Sequence, residues 1–270
     1  MKIEDIRFCI IRAPGTNCDI ETQYALEYFG TKAEVVHINQ LLDKEKDLAS
    51  YHGLVIPGGF SFGDHIRSGA ILGKTLQYKF GGLLRDFADE GKPILGICNG
   101  FQVLIESGLL PGSENNDEVL KAALGTNVSS KFEDRWVYLK RMDESRCIFT
   151  SNSGGLVRMP VAHGEGKLIL PPDEEERLLN ELEEKGQIVY KYATDDGSLA
   201  RGSYPENPNG SIADIAGICN PSGSVFGLMP HPERAFQRIT YPDWTRTGLE
   251  DVGDGFSIFK NMSDYIVKKF

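Results

Sequence analysis

The chain has 270 residues, 40% hydrophobic and 25% charged, with acids outnumbering bases to a formal net charge of −10. That composition excludes wholesale disorder, and an acidic chain without a basic block argues against nucleic acid or an anionic membrane as main partner. The length allows a large core without a disulfide or metal staple.

The first half alternates short apolar runs with helical patterns, the sign of a parallel sheet wrapped by helices. Phe8–Ile11 reads as a buried strand ending in the turn Pro14-Gly15-Thr16-Asn17, and Asp19–Phe29 as a helix closed by Gly30. Ala33–Ile38 and Gly53–Pro57 are the next strands, the latter running into Gly58-Gly59. Leu83–Asp89 reads as a short helix stopped by Gly91 and Pro93, Ile94–Ile97 as a fourth strand, and Phe101–Glu106 as the start of the following helix.

Spacing tightens in the second half. Trp136–Lys140, Leu156–Pro160, Leu168–Leu170 and Ile188–Tyr192 read as an antiparallel extension of the sheet. Between them Asp173–Lys185 is mostly acidic, with Leu178, Leu179 and Leu182 at helical spacing, which predicts a surface helix with a solvated face. Ala216–Cys219 and Val225–Met229 are the last strands and Ser257–Val267 the closing helix. No repeat or linker divides the chain, so 1–270 reads as a single α/β domain.

No apolar stretch approaches a membrane span, and the N-terminus carries acids where a signal peptide would be apolar. Five scattered cysteines without a C-x-x-C pair fit a reducing cytoplasm. On that reading the N-x-S sequons at Asn127, Asn209 and Asn261 are chance matches.

The strongest local signal is Gly96-Ile97-Cys98-Asn99-Gly100 at a strand-to-helix junction. It has the form of a nucleophile elbow with Cys in place of Ser: the turn is so tight that positions two residues either side must be nearly free of side chain. The alternative is a buried structural cysteine beside turn glycines. His231, in Met229-Pro230-His231-Pro232-Glu233 directly after a strand, is the best partner base. Flanking prolines fix its loop, and Glu233 can hold the ring tautomer, completing a Cys–His–Glu triad. Pro57-Gly58-Gly59-Phe60 supplies backbone that can approach a ligand. The N–H of Gly59, together with that of Asn99, would form an oxyanion hole.

Other apparent motifs fail. Ser68–Thr75 resembles a P-loop but has Ser68 where Walker A needs its first glycine, and no G-x-G-x-x-G or H-E-x-x-H exists. The flanking pattern of papain-type peptidases is missing around Cys98.

Elbow cysteine, Gly-Gly strand end and late His-x-Glu together resemble the class I (triad) glutamine amidotransferases. Longer segments narrow this to the glutaminase subunits of phosphoribosylformylglycinamidine synthases: PGTNCD at 14–19, PGGFSFGDHIR at 57–67, GICNGFQ at 96–102, NVSSKFEDRW at 127–136, PVAHGEG at 160–166, NPNGSIADIA at 207–216 and GLMPHPERA at 227–235. The match runs in order over nearly the whole chain; Tyr241–Asp251 is the least typical part.

The resemblance implies a flavodoxin-like α/β glutaminase with a mostly parallel central sheet, helices on both faces and an antiparallel extension. It implies that glutamine is hydrolysed by Cys98, His231 and Glu233, with Gly59 and Asn99 at the oxyanion positions. Gln102 would contact glutamine, Asn127, Ser129 and Phe132 would line its pocket, and His163 and Glu165 would stand at an interface or behind the site. It implies no cofactor or metal in this chain, since ATP and Mg would belong to a synthetase partner that binds formylglycinamide ribonucleotide. A small third subunit would bridge the two. That partner would dock over Cys98, with 60–69 and 163–166 as rim and the acidic helix elsewhere. Glutamine-directed reagents would label Cys98 and spare Cys9, Cys18, Cys147 and Cys219, read as lacking a helix terminus or base. A stand-alone thiol hydrolase and a non-catalytic assembly subunit are the competing readings.

Overall fold

A computed structural model describes residues 1–112, 122–246 and 251–270. In chain order its elements are β1 (Arg7–Arg12), α1 (Asp19–Glu27), β2 (Lys32–His37), α2 (Ile38–Leu42), β3 (Gly53–Ile56), α3 (Ala70–Asp89), β4 (Ile94–Ile97) and α4 (Asn99–Glu106). Then come β5 (Ala123–Thr126), β6 (Glu133–Arg141), β7 (Leu156–His163), β8 (Glu165–Ile169), α5 (Glu175–Glu184), β9 (Ile188–Ala193), β10 (Ile215–Cys219), β11 (Val225–Leu228) and α6 (Phe256–Lys269).

Nine strands form one sheet in the order β2-β1-β3-β4-β11-β10-β9-β6-β7. The first five are parallel and the remaining pairings antiparallel. Every residue of β3, β4 and β11 is buried, as parallel strands covered on both faces require, which explains their unbroken apolar sequences. From β1 the chain crosses to β2 on one side, and from β3 to β4 on the other. Right-handed crossovers in opposite directions put α1 and α3 on opposite faces, where α1 packs with α6 and α3 with α4. The strand order reverses between β1 and β3, and a crevice at the carboxyl ends of the strands is where such sheets bind ligands. The turns after β1, β3, β4 and β11 all open there.

Two expectations change. The helix before β4 begins at Ala70 rather than Leu83, so the P-loop look-alike 68–75 is a helix start. Its glycines hid it: Gly69 turns in at φ +75°, and a Cβ on Gly73 would lie 2.5 Å from Glu106 Cβ, so this glycine permits close α3–α4 packing. Leu168–Leu170 does not extend the main sheet either. The chain turns at Gly164 and β8 pairs with β5 in a separate two-stranded ribbon. That leaves β7 at the sheet edge, a position compatible with Pro160 in a strand.

The acidic helix α5 buries Leu178 and Leu182 and turns most of its acids outward, as its spacing predicts. Glu183, exposed like most of them, pairs at 3.0 Å with the buried Lys191. Asn127, Asn209 and Asn261 are all buried, so none of the sequons is available to glycosylation. Of the atypical stretch 241–251, residues 247–250 lie outside the described residues; Tyr241 is a core residue whose hydroxyl donates to Arg158 O at 3.1 Å.

Candidate active site

Cys98 sits between β4 and α4 with φ +51° and ψ −104°. A non-glycine residue adopts such a conformation only where the surroundings impose it, and here they do. A Cβ on Gly100 would lie 1.8 Å from Ile56 O, and one on Gly96 would lie 2.6 Å from Gly100 O. The Cys98 N–H donates to Leu228 O at 2.8 Å, tying the elbow to β11, and Sγ lies 3.6 Å from Ala162 O. Because backbone at Ile56 cannot retreat inside a buried sheet, Gly100→Ala should cost about 3 kcal/mol or more of stability. A denaturant melt checks this: the midpoint should fall well below wild type.

His231 follows β11, its N–H bonded to Pro160 O at 2.8 Å. Its Nδ1 lies 2.6 Å from Glu233 Oε1, and both side chains are buried, Glu233 completely. Burial disfavours charge on the imidazole, but the carboxylate and the neighbouring Cys98 and Cys18 more than offset it, holding its pKa well above the usual range. Among the described residues, Nε2 has no hydrogen-bond partner. Gly58 lets β3 pass close to this ring: a Cβ there would come within 2.7 Å of His231 Cε1.

The expected oxyanion donors stand at the same end of the sheet. Gly59 (φ +148°) bridges to Thr16 in the turn after β1, where a Cβ would meet Gly15 O at 2.7 Å. Asn99 is the first residue of α4, so its N–H has no partner within the helix. Its side chain is clamped, accepting from Ser61 N at 3.2 Å and donating to Gln102 Oε1 at 2.9 Å.

The expected glutamine contacts divide. Gln102 is buried and uses its amide to hold Asn99 and the Glu165 carbonyl. Asn127 binds Lys131 O, His163 O, Gly166 N and His163 Nδ1, so its whole side chain fixes the turn at 127–131 against the β7–β8 corner. Ser129 donates to Glu133 at 2.6 Å. Phe132 is exposed, and its ring lies 6.2 Å from that of Phe60 beside Gly59. The side chains of Gln102 and Asn127 thus bond within the fold, whereas Phe132 stands at an open rim.

His163 is 3% exposed, which takes it off the expected rim and agrees with the alternative expectation of a place behind the site. Burial, reinforced by His231, pushes its pKa down to about 3. The unfolded chain therefore takes up a proton near pH 6.5 that the folded one refuses until about pH 3. Stability from this group is complete above pH 6.5 and declines as pH falls toward 3. In melts between pH 7 and 4, His163→Gln should lose less stability on acidification than wild type.

The residue that sequence reasoning set aside is Cys18. It caps the start of α1, and its Sγ lies 3.9 Å from His231 Nδ1 and 3.2 Å from Arg234 Nη2. It therefore has both the helix terminus and the base denied to it on sequence grounds. Burial nevertheless raises its pKa despite His231, keeping it a protonated thiol. Its placement depends on the turn after β1 resting on Gly58, whose carbonyl accepts from both Asn17 N and Cys18 N. No local pattern announces that contact.

Residues 5–266 match the CobB/CobQ-like glutamine amidotransferase domain family. The phosphoribosylformylglycinamidine synthase subunit PurQ of Dehalococcoides mccartyi is 44% identical over 256 residues, covering 95% of this chain and 96% of that one. The same subunit of Archaeoglobus fulgidus is 44% identical over 278 residues, 99% of this chain and 100% of its own. Among solved structures, PurLQS from Thermotoga maritima superposes with a TM-score of 0.70 at 33% identity, covering 97% of this chain and 99% of that chain.

Proposed function

Since the chain belongs to the CobB/CobQ-like glutamine amidotransferase family, we propose that it is the glutaminase subunit of a phosphoribosylformylglycinamidine synthase. It hydrolyses glutamine to glutamate and delivers the ammonia to a synthetase subunit. That partner uses ATP and magnesium to convert formylglycinamide ribonucleotide to formylglycinamidine ribonucleotide, a step of purine biosynthesis. The observation that carries this reading is the strained Cys98 at the strand-to-helix turn together with the buried His231–Glu233 pair at the same sheet end.

In this account the Cys98 sulfur attacks the side-chain carbonyl of glutamine, and the tetrahedral oxyanion is received by the N–H groups of Gly59 and Asn99. The His231 imidazolium gives its Nε2 proton to the departing ammonia, leaving a γ-glutamyl thioester. Neutral His231 then takes a proton from water, whose hydroxide displaces Cys98 and yields glutamate. Glu233 keeps Nδ1 protonated through both steps. Residues 1–270 act as one domain, a reading supported by the single nine-stranded sheet that joins both halves.

A cytoplasmic location is supported by five cysteines that are all free and buried. Among the described residues, no helix is long and apolar enough to cross a membrane.

The test is a glutaminase assay with and without the synthetase and its nucleotide substrates. Low activity alone and strong stimulation in the complex are expected; an amide-hydrolysing activity indifferent to glutamine and to the partner would contradict the reading. The partner is read as covering the Cys98 mouth and the expected 60–69 rim, in which Phe60 and Ile66 are exposed. Ile66→Glu should therefore lower the stimulated rate about tenfold and spare the basal rate. Glu175→Lys on α5 should change neither.

A further inference from the structure

The mechanism leaves one buried nucleophile in the site unused. Cys18 Sγ, His231 Nδ1 and Glu233 Oε1 all lie within 4.8 Å of one another, the Nδ1–Oε1 pair at 2.6 Å and the Sγ–Nδ1 pair at 3.9 Å. Each of the three residues is at least 95% buried, and Glu233 Oε2 has no hydrogen-bond partner among the described residues.

We propose that Cys18, His231 and Glu233 form an inhibitory binding site for a thiophilic divalent cation of the zinc type. One thiolate, one imidazole and one carboxylate are a zinc ligand set, whereas magnesium and calcium call for oxygen ligands. Ordinary bond lengths in a tetrahedral site need a nitrogen-to-oxygen separation of about 3.4 Å and a sulfur-to-nitrogen separation of about 3.6 Å. The nitrogen–oxygen and sulfur–nitrogen pairs therefore have to move by less than about 1 Å and the sulfur–oxygen pair by about 1.2 Å at most, within the reach of side-chain rotation. Thiolate and carboxylate together cancel the ion's two charges, which suits a buried place. Arg234, which now donates to Cys18, is 38% exposed at its side chain and has Glu21 at 3.8 Å to hold it once it swings away.

Binding displaces one proton from the Cys18 thiol and one from Nδ1 of the imidazolium, both released to solvent. The remaining ring proton stays on Nε2, so His231 can no longer accept a proton from water, and Glu233 is taken up as a ligand. The site is distinct from simple capture by Cys98, which lies on the Nε2 side of the mechanism. The predicted inhibition rests on His231 being the base; the predicted binding does not.

Two measurements on the full-length protein separate these. Cobalt(II) added to Cys98→Ala should give a 1:1 complex with thiolate-to-cobalt charge-transfer absorption, and Cys98→Ala/Cys18→Ser should lose that band. In the wild-type complex, zinc should inhibit glutamine-dependent turnover reversibly with a chelator, and Cys18→Ser should need at least about tenfold more zinc. Should Cys18→Ser misfold, Glu233→Gln on the Cys98→Ala background serves instead and should weaken cobalt binding by a similar factor. No thiolate band in Cys98→Ala, a band indifferent to Cys18, or zinc inhibition equal in wild type and Cys18→Ser would each overturn the proposal. Failure of the glutaminase reading itself would show separately, as absence of turnover before any metal is added.

Discussion

Cys98→Ala is expected to abolish glutamine-dependent synthesis by the assembled complex, to less than about 10⁻³ of wild type, while synthesis from added ammonium salt continues. The asymmetry follows from the proposed mechanism, in which the sulfur at the strand-to-helix turn breaks the amide and the nucleotide reaction occurs on the partner. Methyl in place of thiol leaves the backbone strain at φ +51° unchanged, since alanine also carries a Cβ, so the fold should be preserved. Paired assays on one preparation, with glutamine and with ammonium, give the answer. Loss of both activities together would mean that Cys98 supports assembly rather than amide cleavage.

The second large effect concerns His231 and Glu233. His231→Ala removes proton donor and acceptor at once, and glutaminase kcat should fall on the order of 10⁴-fold. Glu233→Gln keeps the shape beside Nδ1 and removes the charge that raises the imidazole pKa, so the loss should be smaller, about 10²- to 10³-fold. Its pH profile should also move: with the imidazole no longer held charged, the acid-requiring limb of kcat should shift to lower pH. A Glu233→Gln enzyme as active as wild type, with an unmoved profile, would make Glu233 a structural residue only.

Much of this site was readable from sequence because its geometry imposes local rules. An elbow at Cys98 demands glycines two residues to either side, and Gly96 and Gly100 each face backbone closer than any side chain permits. Prolines on both sides of His231, directly after a strand of unbroken apolar residues, mark a rigid loop at a sheet end. What was not readable depends on contacts between distant segments. Gly69 and Gly73 look like helix breakers until α4 is seen packed against them. The strand at 165–169 carries an ordinary alternating pattern, and nothing in it says that its partner is β5 rather than the main sheet. His163 lies in a Gly-rich, turn-like segment that reads as surface, yet Asn127 draws it inward through the 127–131 turn.

Cys18 is the sharpest case. Its neighbours on the chain suggest only a turn and a helix start, and its contact with His231 arises because the loops after β1 and β11 converge at one sheet end. The base therefore has a cysteine on the Nδ1 side as well as the elbow cysteine, and the account stands on which of them attacks. A glutamine-analogue electrophile that alkylates the attacking thiol, followed by peptide mass spectrometry, decides it. Label on the peptide carrying Cys98, rising in step with loss of glutaminase activity while Cys18 stays unmodified, is the predicted result. Label on Cys18, or equal label on both, would contradict it.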